Sequence, residues 1–128
     1  MNKAVYDSRF FVEFFYSKDE NLWRKIKEEK CSREKYVSTV VIHEVYKLSL
    51  VREGRETALL RVTLMKKDFQ VVPVDDQIAQ ISAELRRKYD LSIGDSMIAA
   101  TASILKAVCI SDDPHFQQIK EIETTWIL

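Results

Sequence analysis

Five carboxylates stand where side-chain chemistry could be concentrated: Asp7, Glu44, Asp95 and the adjacent pair Asp112 and Asp113. Three of the positions also suit helix caps. Asp7 precedes a helical stretch that begins at Ser8. Ser92-Ile-Gly-Asp95 has the form of a capping box. Asp113 precedes Pro114, the residue favoured at a first helical position. Glu44 has no such explanation. It shares a helical face with Val41, Val45 and Leu48, and a carboxylate on an apolar face is tolerated only when it is paired or bound to a metal. Carboxylates brought within a few ångströms of one another need protons or divalent cations to neutralise them. Mg²⁺ or Mn²⁺ fits an all-oxygen set. No matching group of His and Cys is present for a softer metal, since the two cysteines, Cys31 and Cys109, are far apart in sequence. Such a centre can make a nucleophile of water and stabilise charge growing on a phosphate.

The carboxylates meet only if the fold brings them together. Five runs have strand character: Ala4 to Tyr6, Lys35 to Ser38, Phe69 to Val72, Ala107 to Ile110 and Thr124 to Ile127. Between them lie stretches of helical period: Ser8 to Tyr16, Asn21 to Glu29, Val40 to Val51, Glu56 to Lys66, Asp75 to Tyr89 and Ser92 to Leu105. Short apolar strands alternating with helices predict an α/β fold, a three-layer α/β/α sandwich around a parallel sheet of four to five strands. In such a sheet the loops leaving the C-terminal ends of the strands share one edge. Asp7 follows the first strand and Asp113 the fourth. Asp95 opens the helix before the fourth strand. Glu44 lies about one turn, roughly 6 Å, inside the helix after the second. Pairing of neighbouring strands makes the acids neighbours.

The chain of 128 residues, 46% of them hydrophobic, predicts one domain over 1–128. Lysine plus arginine and aspartate plus glutamate number 20 each, so net charge draws the molecule to neither nucleic acid nor membrane, and any such affinity is local. The first residues contain no extended apolar segment, which predicts neither signal peptide nor spanning helix but a cytoplasmic protein with reduced thiols, Cys109 being a buried filler.

The quoted segments, Tyr6-Asp7-Ser8, Val41-Ile-His-Glu44, Ile93-Gly-Asp-Ser-Met-Ile-Ala-Ala-Thr-Ala102 and Ser111-Asp-Asp-Pro-His-Phe116, are similar in order and spacing to those of a PIN domain. The chain most closely resembles the small single-domain toxins of the VapC type. The resemblance implies a ribonuclease that uses one or two Mg²⁺ or Mn²⁺ ions to hydrolyse RNA, leaving a 5′-phosphate and a 3′-hydroxyl. It places Asp7, Glu44, Asp95 and Asp113 as the catalytic, metal-binding acids, with Asp112 as a substitute for the last. Ser111 stands where the family has a hydroxyl residue, commonly threonine. Ser8 is expected to orient Asp7 or a water. With Arg9 and Ser111 it forms the expected substrate-binding set. The partners implied are RNA, a cognate antitoxin and a second copy of the chain in a homodimer.

Other features carry less. His43-Glu44 starts like a zinc-protease helix, but Lys47 replaces the second histidine. His115 is read as a solvated loop residue, because no carboxylate–histidine pairing is legible. Lys47, Arg52 and Arg55, like Arg9, stand near the predicted edge and could hold phosphates. Phe10, Phe11, Phe14 and Phe15 have the spacing of core or of a dimer surface. A phosphoacceptor receiver domain is disfavoured, since it wants its acidic pair after the first strand and a lysine after the last. A PIN-like scaffold that binds without cutting is disfavoured by the four retained acids, which would only cost stability if idle.

Overall fold

Parallel strands need long crossovers, and this chain fills each of its first three with two helices. The computed structural model describes residues 2–127, and within 30–32 the backbone alone. Cys31 lies in that span, so the expectation of reduced thiols is followed at Cys109 only. The elements are β1 (Lys3–Tyr6), α1 (Ser8–Tyr16), α2 (Glu20–Ser32), β2 (Glu34–Ser38), α3 (Thr39–Glu53), α4 (Arg55–Asp68), β3 (Gln70–Val72), α5 (Asp76–Lys88), α6 (Ile93–Leu105), β4 (Val108–Ile110), α7 (Pro114–Gln117) and β5 (Thr124–Thr125). All five strands pair in parallel in the order β3-β2-β1-β4-β5.

The α/β/α expectation therefore holds, with five strands. Right-handed crossovers running from β1 outward to β3 set α1 to α4 on one face, and the return from β3 to β4 sets α5 and α6 on the other. The direction of winding reverses between β1 and β4, and the crevice at the C-terminal ends of these two strands is the place where open α/β sheets bind ligands. In register, Val5 faces Cys109 and Tyr6 faces Ile110. Asp7 N–H continues the ladder, donating to Ile110 O at 3.1 Å.

The core explains the rigidity of that edge. Ala4, Val5, Tyr6, Val37, Cys109 and Ile110 are buried in the sheet, with Phe10, Phe11, Ile26 and Val41 from the helices on the first face. Ile98, Ala99, Ala100 and Ala102 bury α6 on the second, and the small side chains of the three alanines let that helix lie close to the strands. Tyr6, Phe10, Phe11 and Phe69 meet at ring-centroid distances between 4.7 and 6.2 Å, mostly edge to face. Gly54 ends α3 and begins α4 at φ 92°, a backbone open to glycine at little cost.

Candidate active site

Each acid arrives at the crevice on a separately capped element. Asp7 caps α1. Its Oδ1 accepts Ser8 N–H at 2.7 Å and Ser8 Oγ at 3.3 Å, and its Oδ2 accepts Ser111 Oγ at 2.7 Å. Ser92 caps α6 by accepting Asp95 N–H at 3.1 Å, which sets the Asp95 carboxylate on the first turn. Asp113 caps α7, accepting His115 N–H at 2.9 Å. Ser38 caps α3, accepting Val40 N–H at 3.2 Å, and fixes where Glu44 falls six residues later. The caps and the acids are one piece of architecture, so the two readings of Asp7 and Asp113 are compatible.

The electrostatics join these groups. Burial, followed by the charges of Asp7 and Asp95, pushes Glu44 up to about 7. Burial also raises Asp7 above the ordinary carboxylate range, opposed by hydrogen bonds from Ser111 and Ser8 and reinforced by Asp113. Asp95 is raised by burial, Asp7 and Asp113, and lowered in part by Ser92 and His115. Under them, burial drives the Cys109 thiol well up, with Asp7, Asp95 and Asp113 adding to it. Cys109 is the buried filler expected of it, and its thiol stays protonated.

Glu44 Oε1 is, among the described residues, the one buried side-chain oxygen or nitrogen without a hydrogen-bond partner. A Cβ added to Gly94 would lie 3.9 Å from each Glu44 oxygen, so the first turn of α6 passes directly over this carboxylate. An orphaned carboxylate oxygen, its group raised by burial and two like charges and set beside the first turn of α6, fits a bound cation. Asp7, Glu44, Asp95 and Asp113 offer oxygen donors of the kind Mg²⁺ and Mn²⁺ take. A groove of about 340 Å³ lined by His43, Glu44, Lys47, Leu48 and Val51 adjoins the cluster.

The remaining expected residues divide. Ser8 bonds Asp7, as anticipated. Ser111 is buried; its hydroxyl donates to Asp7 and accepts Asp113 N–H at 3.0 Å, so it ties two acids together. Asp112 turns away from the cluster and forms a two-pronged ion pair with Arg9, at 3.2 Å for each prong. Arg9 also contacts Glu13 at 3.5 Å. Of the cations considered, Arg52 lies over the Tyr16 ring, while Lys47 lines the groove beside Glu44. His115 departs from expectation. Its Nδ1 is 2.9 Å from Asp113 Oδ1, and one donor atom from each of Asp95, Asp113 and His115 lies within 4.8 Å of the others. The short α7 turn brings the histidine back onto its own cap, a pairing at a spacing of two residues that carries no periodic signal.

The PIN domain family model matches residues 4–122. The chain belongs to the PIN domain family. Solved structures agree in fold along the whole chain. VapBC of Salmonella typhimurium, solved bound to DNA, superposes with a TM-score of 0.83 at 19% identity, covering 100% of both chains. VapBC2 of Rickettsia felis, bound to a DNA fragment from its promoter, gives 0.82 at 12% identity, covering 97% of this chain and 98% of that one. VapC20 of Mycobacterium tuberculosis, a toxin that cleaves the sarcin-ricin loop, gives 0.72 at 18% identity, covering 94% and 98%. No curated protein matches the sequence. At these identities the likeness is one of fold.

Proposed function

We propose that this PIN domain is a ribonuclease dependent on Mg²⁺ or Mn²⁺ and the toxin of a toxin–antitoxin pair. The observation that carries the reading is Glu44: a buried, unpartnered carboxylate oxygen facing Asp7 and Asp95 at the crevice where the sheet changes direction. A fold does not by itself retain an arrangement that costs stability, and a cation that neutralises the acids gives it a use.

One or two ions held by Asp7, Glu44, Asp95 and Asp113 would supply an activated water and charge stabilisation for an in-line attack on an RNA phosphodiester, giving a 5′-phosphate and a 3′-hydroxyl. The chain's own part is positioning. Ser111 fixes Asp7 and the Asp113 turn in one arrangement, Ser8 holds the other Asp7 oxygen, and the packed sheet beneath excludes water from one side. Arg9, tied to Asp112 at the rim, is the group suited to meet a substrate phosphate.

The kinship in fold to solved VapBC complexes supports an antitoxin as partner. The α3–α4 hairpin exposes Leu50, Val51, Leu59, Leu60 and Leu64, apolar surface of the kind a protein partner or a second copy covers. Such a toxin acts where its RNA is, in the cytoplasm. Among the described residues, no helix is long and apolar enough to cross a membrane.

The test is cleavage of RNA by the purified chain with Mn²⁺ or Mg²⁺. EDTA and Asp95→Asn should each stop it while circular dichroism stays unchanged. Cleavage that survives both overturns the proposal.

A further inference from the structure

The loop after β4 turns an imidazole toward the acids. His115 Nδ1 approaches Asp113 Oδ1 to 2.9 Å although the side chain remains 56% exposed, so burial of the ring does not account for its direction. Asp113 Oδ1 accepts the backbone N–H of the same histidine at 2.9 Å, which fixes carboxylate and ring in a single turn. Asp95 completes a group of three donors within 4.8 Å of one another.

A ring nitrogen and a carboxylate oxygen at this separation aim lone pairs at each other unless a proton or a cation lies between them. The proton of Nδ1 serves in the metal-free chain. A six-coordinate ion with bonds of about 2.1 Å has neighbouring ligands about 3 Å apart and opposite ones about 4.2 Å apart. His115 Nδ1 and Asp113 Oδ1, 2.9 Å apart, already stand at the spacing of one edge of such an ion, and Asp95, with a donor within 4.8 Å of theirs, needs a small side-chain adjustment to join it. Imidazole nitrogen suits first-row transition ions, whereas Mg²⁺ favours oxygen.

We propose that His115 is a nitrogen ligand which, with Asp95 and Asp113, makes this centre selective for Mn²⁺ over Mg²⁺. The inference rests on the metal-centre reading above and adds to it a ligand outside the four acids, and with it the choice of ion.

The test is pulsed electron paramagnetic resonance on the full chain loaded with one equivalent of Mn²⁺, alongside titrations of Mn²⁺ and Mg²⁺ binding. The expected spectrum shows nitrogen-14 modulation from a directly bound imidazole. In His115→Gln the modulation disappears, Mn²⁺ binds on the order of tenfold more weakly, and Mg²⁺ affinity is nearly unchanged. Mn²⁺ bound to the unaltered chain without nitrogen modulation overturns the ligand role and leaves the acid centre standing. Modulation that persists in His115→Gln also overturns it, because the nitrogen then comes from elsewhere. Failure of the unaltered chain to bind Mn²⁺ at all overturns both this inference and the metal centre on which it rests.

Discussion

Helices α1 and α3 share two polar clusters built on opposite plans. At the far end of α1, Tyr16 donates to Glu53 at 2.6 Å. Arg61 of α4 contacts Glu53, Tyr16 and, at 3.3 Å, Ser49. Arg52 and Arg61 lie 4.7 and 4.5 Å from the Tyr16 ring. The carboxylate meets a guanidinium, a second guanidinium lies over the ring, and the hydroxyls are used. At the near end, Asp7 and Glu44 face Asp95 and Asp113; burial and then neighbouring carboxylates raise the proton affinities of Asp7, Glu44 and Asp95, and Glu44 Oε1 has no partner. The first cluster ties three helices together. The second weakens the fold that holds it. The chain that builds the balanced kind a few turns away builds the unbalanced kind at the crevice, as the proposed metal centre requires.

The comparison breaks most sharply under substitution. Asp95→Asn should lower RNA cleavage by about a thousandfold or more, about 4 kcal/mol of barrier, with the melting temperature unchanged or raised. A fall in both would make Asp95 a structural residue. Arg61→Ala should do the reverse. It leaves Glu53 without its counter-charge and with Tyr16 alone as partner, and since both ends of the ion pair are partly exposed the loss should be about 2 kcal/mol, read as a lower denaturant midpoint with metal affinity preserved.

Glu44→Gln probes the unbalanced side from within, and in metal-free protein it should stabilise the chain by about 1 kcal/mol while weakening Mn²⁺ binding. Its pH signature follows from the sign of the shift. Glu44 holds its proton more tightly folded than unfolded, so its contribution is fully present below its usual value near 4.5 and is lost as pH rises through about 7. Melting of the metal-free chain should therefore fall between pH 5 and pH 8, less steeply in Glu44→Gln. A flat profile in the unaltered chain would contradict the burial assigned to this carboxyl. The smallest effect is expected at the rim. Asp112→Asn should change stability by less than about 0.5 kcal/mol, since the Arg9 pair is solvent-exposed.

What the sequence discloses follows from how locally each feature is encoded. Strands and helices are written in periodicity. The break after Glu53 is written in Gly54, and the acids could be placed because a parallel sheet gathers its strand ends on one edge. Glu44 is legible in the apolar face it shares with Val41, Val45 and Leu48. The end of α6 was less so, because the left-handed residue is Lys106 at φ 53°, where a glycine would have announced it. Contacts between residues far apart left no mark at all: Arg9 with Asp112, 103 positions away, and Tyr16 with Arg61, 45 away. These depend on helix packing, which decides whether Asp112 joins the acids or the guanidinium. Ser111 was recognisable as a hydroxyl of interest. That it is buried and spends itself on Asp7 and Asp113 could be read only from the sheet register.

Ser111 also sets an order of events. Its hydroxyl spans 104 positions to reach Asp7, and β4 is the last of the three strands that bring the acids together. A chain emerging from the ribosome N-terminus first can fold β1, α3 and even α6 before Asp113 exists. Until β4 docks beside β1, Asp7 lacks the hydroxyl that orients it and the fourth acid is missing. The cluster thus cannot be complete until the chain has been made through Asp113, and a nascent chain passes through most of its synthesis with the four acids not yet together.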